Sequence, residues 1–360
     1  MFFNIDSDTG EAISGWVAPD NPSAVPKLAL LIPGRPEAVI EADIERADIR
    51  DLGLHASGRV GFNITDAVAP GLAHLEDIEI LDAETRTPLY RRFRADRHFE
   101  RKLFLFDSAA MPQRSMIQSL TSRFALNYTN VERYSLETMI VLLNNHFSKS
   151  LFFCGRASFN RYASFLENGG YLRAALLREP VQELAERLLF LSLMAKSDAA
   201  HLIPTYATGL TPLVDFAKTL KFDDHKNVLT AFRQIDEAQR QALVSPMTRM
   251  LGCTLDEPPT HHHVSLALDH LSSLDVVGTR ARFPAFKAML EQFLGGDVFD
   301  AEPPAAFPTV EKLTESLSNI GIVHDLLEHD MALYFYVEQS LAAGLKGGRD
   351  ELPERAVHTI

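Results

Sequence analysis

Residues Tyr171–Gln182 read YLRAALLREPVQ. Tyr171–Leu177 has the length and apolar run of a buried strand that ends at Arg178. A Glu-Pro step follows, and then an amphipathic helix. Pro180 suits the first helical turn, where a missing N–H costs nothing. This order predicts a guanidinium beside a helix N-terminus at the carboxyl end of a strand. Helix N-termini hold anions, and open α/β sheets bind ligands at that edge. An arginine there suggests a phosphate or sulfate gripped by two parallel hydrogen bonds. The plainer alternative is a surface arginine that closes a strand–helix loop.

On either side of this stretch, the pattern alternates between strand and helix. Leu103–Phe106 reads as a buried strand, Ser115–Leu126 and Leu136–Phe147 as helices, and Leu151–Cys154 as a strand. Phe159–Leu166 reads as a short helix and Pro180–Lys196 as a long one. Most of Leu213–Leu345 reads as helical, interrupted at Cys253–Thr260 and at the Pro-rich Asp297–Pro308. Such an order predicts a three-layer sheet domain followed by a helical block.

Residues 1–95 differ. Short β-type runs at Ile13–Ala18, Lys27–Ile32, Val39–Asp43, Arg59–Ile64, Ile78–Leu81 and Pro88–Arg91 are separated by turn material such as PDNPS and PGRPE. Their spacing predicts a small antiparallel sandwich or meander. The basic stretch RRFRADRHFERK, Arg91–Lys102, reads as the junction, with its charges on a solvated face or near an anionic ligand. Trp16 is the single tryptophan and reads either as core or as a platform for a sugar ring.

Composition bounds the function. The chain has 360 residues, 46% hydrophobic and 23% charged, enough for a full core and two domains. A formal charge of −13 argues against a general nucleic-acid binder, which needs a basic surface, but leaves room for a local basic pocket. The two cysteines, Cys154 and Cys253, supply neither a disulfide framework nor a cysteine-rich metal site. MFFNIDSDTGE has no basic start and does not read as a signal peptide, and the apolar runs are too short to span a bilayer. A cytoplasmic protein is expected, acting on soluble or membrane-presented material, with peripheral membrane association allowed.

Cys154–Leu191, CGRASFNRYASFLENGGYLRAALLREPVQELAERLLFL, resembles the sulfotransferase family that uses 3′-phosphoadenosine 5′-phosphosulfate (PAPS). It resembles the family's run of Gly-His, Phe, Tyr, a short loop, an aromatic-led strand, Leu-Arg-Asp-Pro and a helix, with Gly155-Arg156 at the Gly-His step. Ser272–Gly295 resembles the family's Val-Gly-Leu-Thr-Glu-Arg-Phe segment, and Ile320–Leu341 its closing helix. Residues 1–95 resemble the β-sandwich modules attached to bacterial carbohydrate-active transferases, through Gly15-Trp16-Val17, Ala42–Gly53, Gly61-Phe62 and Asp77–Leu81. The resemblance implies an α/β protein: a P-loop-like three-layer parallel sheet with a C-terminal helical block over residues 96–350, preceded by an all-β sandwich module over 1–95.

The resemblance also implies roles. Arg178 would hold the 3′-phosphate of PAPS. Arg114 and Ser115 would stand on the 5′ side, Ser115 capping the helix. Arg156, at the family's histidine position, would clamp the sulfuryl group, since an arginine stays protonated and cannot be a base. With no histidine at that position, His146, ten residues earlier on the preceding helix, is the nearest alternative base for a glycan hydroxyl. A histidine near a helix C-terminus is also explained by the macrodipole. Three departures stand against this. The strand Lys102–Phe106 is followed by DSAAMPQRSMIQSL, without the family's loop lysine and glycine. Glu186 replaces the serine that normally joins Arg178 on the phosphate, a loss of roughly 1.5–3 kcal/mol before repulsion is counted. Arg156 replaces the histidine.

Two functions are therefore expected: sulfuryl transfer from PAPS to a glycan or surface-polysaccharide precursor, or an inactive descendant that binds glycan or partner proteins. A nucleotide kinase-like transferase fits less well without a lysine and a Mg²⁺ pattern. His261-His262-His263 invites a metal, yet adjacent residues point in different directions, and a solvated helix start explains them. HDLLEHD at His324–Asp330 has His and Glu at four-residue spacing, which a polar helix face explains as well as a metal does.

Overall fold

The structure, a computed structural model, describes residues 1–111, 113–197, 201–254, 257–298 and 307–347, the side chains of residues 114, 204 and 345–347 excepted. Its N-terminal part carries eight strands: β1 (Phe2–Asp8), β2 (Ala12–Ala18), β3 (Lys27–Leu31), β4 (Ala38–Glu41), β5 (Ile44–Glu45), β6 (Arg59–Thr65), β7 (Glu79–Asp82) and β8 (Pro88–Arg91). They form two four-stranded antiparallel sheets, ordered β1-β2-β6-β5 and β4-β3-β7-β8. Alternate residues of both, such as Ile13, Val17, Leu28, Leu30, Ile64 and Ile80, enter one apolar core.

A third sheet is all parallel. Its strands are β9 (Lys102–Asp107), β10 (Leu126–Thr129), β11 (Leu151–Gly155), β12 (Leu172–Leu177) and β13 (Val276–Thr279), in the spatial order β10-β11-β9-β12-β13. Both faces are covered, which is why these strands read as continuous apolar runs. Leu103, Leu105, Phe152, Cys154 and Leu176 pack with helices Arg114–Arg123 and Phe283–Leu294. Phe104, Phe106, Phe153 and Leu177 share a core with helices Leu136–Leu143, Phe159–Asn168 and His261–Ser272. Beyond the sheet, helix Pro180–Lys196 packs with Pro212–Thr219, His225–Arg233, Pro308–Leu317 and the start of Gly321–Gly347. The mixed α/β class expected from the sequence is observed.

Three local expectations are corrected. The helix expected to reach Leu126 stops at Arg123, and Leu126–Thr129 is a strand. The Asn127 amide donates to the carbonyls of Thr121 and Phe124, closing the helix as the chain turns extended at Phe124. The helix expected to reach Phe147 ends at Leu143, because Asn145 Oδ1 accepts the N–H groups of Phe147 and Ser148 and fixes a turn. Val276–Thr279 is a strand inside a stretch read as helical; Gly278 lets Phe286 lie against it, where a Cβ would come within 2.6 Å of the Phe286 Cβ.

The junction is a packed one. Arg91 pairs with Asp77 at 2.8 Å and Arg92 with Asp8 at 2.7 Å, so its charges are used locally. The Tyr128 hydroxyl of β10 donates to the Pro88 carbonyl of β8 at 2.9 Å, and the Tyr90 ring meets Phe147 edge-on. The cores of the antiparallel and parallel parts are continuous.

Candidate functional site

Every strand of the parallel sheet runs to the same edge, and each delivers a charged residue there. Asp107 closes β9, Glu132 follows β10, Arg156 follows β11, Arg178 follows β12 and Arg280 follows β13. Helix Pro180–Lys196 adds Glu183, Glu186 and Arg187, which three- and four-residue spacing places on one side. Arg156, Arg178, Arg187 and Arg280 thus face Asp107, Glu132, Glu183 and Glu186, one carboxylate for each guanidinium.

The pairing is specific and buried. Arg178 is only 2% exposed, and its Nη1 donates to Glu186 Oε2 at 2.7 Å. The other oxygen of Glu186 accepts from Arg280 Nη1, so one carboxylate bridges two arginines. Arg178 Nη2 reaches the Met111 carbonyl at 3.5 Å and lies 3.8 Å from Asp107 Oδ2. Glu183 accepts from Arg187 Nη2 at 2.9 Å and from the Ala110 N–H at 3.4 Å, while Arg187 also donates to the Ser108 carbonyl. Glu132 accepts from Arg156 Nη2 at 2.8 Å and from the Arg156 N–H at 3.0 Å; the same Nη2 donates to the Thr208 carbonyl.

The sequence reading looked for an external anion at three places here, and each is filled from within. Glu179 is the N-cap of helix Pro180–Lys196 and accepts the Gln182 N–H at 2.6 Å. Glu186 takes Arg178. In the loop after β9, the Ala109 N–H donates to Asp107 and the Ala110 N–H to Glu183. Gly155 keeps the Glu132–Arg156 pair close: its φ of +146° favours glycine, and a Cβ would come within 2.5 Å of Glu132 Oε2 and 2.8 Å of the Val131 nitrogen.

Burial sets the titration. It raises the Asp107 carboxyl above its usual range, with Arg178 and the Ala109 N–H opposing. It pushes the Cys154 thiol well up, which keeps sulfur protonated and unreactive. It lowers Arg156, with Glu132 opposing.

The predicted site residues do not converge. Arg178 and Arg156 share the carboxyl edge but sit in separate ion pairs. His146 is exposed in the loop before β11, whereas Arg156 follows β11, so the strand holds them at opposite sheet edges, about 16 Å apart by strand rise. His146 is therefore not placed to act with Arg156. Ser115 does not cap its helix; Gln113 holds the N-cap position, and Ser115 is exposed in the first turn. Arg114 opens that helix, and its side chain lies outside the described residues. Trp16 is half-buried on Ala18, Ile49 and Val60 with the Arg46 guanidinium 6.0 Å from its ring centre, so no open platform is presented. His261 turns to Glu328 and His263 to Thr260 and Glu257; no group of three or more metal-type ligands occurs among the described residues.

Glu132, Glu183, Arg187 and Arg280 were not singled out from sequence. The four-residue spacing of Glu183 and Arg187 was a readable signal; Arg280, 94 positions from Glu186, gave none.

Beside the ion pairs lies a cavity of about 370 Å³ between the ends of β9, β10 and β11. Its hydrogen-bonding lining comes from Asp107, Gln118, Thr129, Asn130 and Glu132, its aromatic lining from Phe190 and Tyr206. No lysine or arginine among the described side chains lines it. No helix among the described residues is long and apolar enough to cross a membrane. Comparison with family models, with curated proteins and with solved structures gives no match.

Proposed function

We propose that this chain is a sulfotransferase-like protein that binds a glycan without transferring a sulfuryl group from PAPS. The observation that carries this reading is the Glu186 carboxylate bridging buried Arg178 and Arg280. A phosphate needs the same two guanidiniums, and a fixed carboxylate between them both occupies the place and repels the newcomer. Glu179 and Glu183 do the same for the helix N-terminus and the loop N–H groups.

The neighbouring cavity supports the binding half of the proposal. A volume of about 370 Å³ suits a small ligand. Its carboxylates, amides and hydroxyl match a neutral, hydroxyl-rich group better than a phosphosulfate. The strand order and the position of Arg178 directly after β12 favour the transferase reading, which then requires Glu186 to release both arginines. Titration with adenosine 3′,5′-bisphosphate separates the two. The expected result is no rise in melting temperature at millimolar nucleotide, because only a bound ligand stabilises. Saturable nucleotide binding that disappears in Arg178→Ala would overturn the proposal.

A further inference from the structure

A second cavity, of about 320 Å³, lies on the other side of the Glu132–Arg156 pair. Arg156, Ser158, Gln241, Arg249 and Thr254 supply its polar lining, and no carboxylate among the described residues lines it. The two arginines come from unrelated elements, one after β11 and one in helix Pro246–Gly252. Each carries a buried N–H with no acceptor: Nη1 of Arg156 and Nε of Arg249. Arg249 forms no ion pair among the described residues, in contrast to the arginines of the network beside it.

Buried donors without acceptors are rare in folded proteins, and cationic ones are the most expensive to leave unmatched. Two such arginines among the residues that line one cavity are a reason to look for the missing acceptor. The neighbourhood adds donors of the same sense. Ser158 is the N-cap of helix Phe159–Asn168, makes no side-chain capping bond and lines the same space.

We propose that this cavity binds an oxyanion group, a carboxylate or sulfate carried on a sugar, held by Arg156 and Arg249. The inference rests on the glycan reading for the body of the ligand only; the anion site stands on its own geometry. It makes the preferred glycan an acidic one. The cavity is large enough for the ring that bears the charge, and Gln241, Ser158 and Thr254 supply hydrogen-bonding groups for its hydroxyls.

The test uses the full chain with three probes, sodium glucuronate, sodium sulfate and sodium phosphate, each against sodium chloride at equal ionic strength. Calorimetry and thermal melts are run on wild type, Arg249→Ala and Arg249→Gln, the last retaining the packed stem. The expected result is saturable binding to wild type, weakened at least tenfold in both variants while their ligand-free melting temperatures stay close to wild type. Preference for glucuronate identifies a carboxylate site, and preference for sulfate a sulfate-ester site. Absence of binding beyond the chloride control, or equal binding by the Arg249 variants, overturns the inference. Loss of anion binding leaves the nucleotide result unchanged, so the two proposals fail separately.

Discussion

Glu186→Ser restores the residue expected beside Arg178 and removes the carboxylate that bridges it to Arg280. Breaking a buried ion pair by deleting one partner costs about 3–5 kcal/mol, because the remaining charge stays buried. Here two guanidiniums lose their shared partner. Asp107 lies 3.8 Å from Arg178, too far for a hydrogen bond but near enough to offset part of the charge, so the lower end applies. At about 2 °C per kcal/mol, the low end for chains above 150 residues, about 3 kcal/mol lowers the melting temperature by roughly 6 °C. The vacated space then offers two convergent guanidiniums. Sulfate at a hundred times its dissociation constant should return about 2.7 kcal/mol, most of the loss. Differential scanning fluorimetry with and without sulfate, at constant ionic strength, reads both steps. Glu186→Gln separates charge from shape. A destabilisation below about 1 kcal/mol, or no sulfate recovery beyond that of wild type, refutes the reasoning that Glu186 stands in an anion's place.

Other expectations concern distinct parts of the fold. Asp330 is buried and accepts the N–H groups of Met247 and Thr248 at 3.0 and 2.7 Å; burial raises its carboxyl to about 6, those N–H bonds opposing. Its folded pKa exceeds the unfolded value, so its stabilising proton is fully held below about pH 4 and lost as pH rises through 6. That costs roughly 3 kcal/mol across the window, and denaturant melts of Asp330→Asn should lack this slope. Gly155→Ala forces a Cβ toward the Val131 nitrogen and should cost more than about 2 kcal/mol in urea unfolding, with the Glu132–Arg156 pair disturbed. Cys154, buried with its thiol pushed up, should react slowly with a thiol-specific reagent in the native protein and fast once denatured; rapid native labelling would contradict the placement.

Where one element carried its own pattern, the sequence was a good guide. Pro180–Lys196 begins at its proline and ends where expected, because cap, first turn and apolar periodicity all lie within the segment. β10 and β13 were misread because each is a four-residue edge strand with only part of its surface buried, too short to outweigh the helical pattern around it. Arg178 was legible as a sheet-edge arginine. Its partners were not: Arg280 arrives by a long-range crossover, and Glu186 looked repulsive toward a ligand until its pairing with Arg178 was seen. His146 and Arg156 are close in sequence, but β11 stands between them and carries them to opposite edges. Proximity along a chain predicts proximity in space only when no extended strand intervenes.

The Tyr128–Pro88 hydrogen bond closes a gap of 40 residues across the seam between the antiparallel and parallel parts. On the ribosome, the chain grows by about 5–20 residues per second, so β8 emerges roughly 2–8 s before the strand that covers it. Until then, one flank of the early β segment is without its cover, and its apolar side lacks the aromatic residues that complete it. The first ninety residues are thus made as an unfinished surface. Slowed translation across residues 92–129 should therefore lower the soluble yield, which expression with rare codons over that stretch checks.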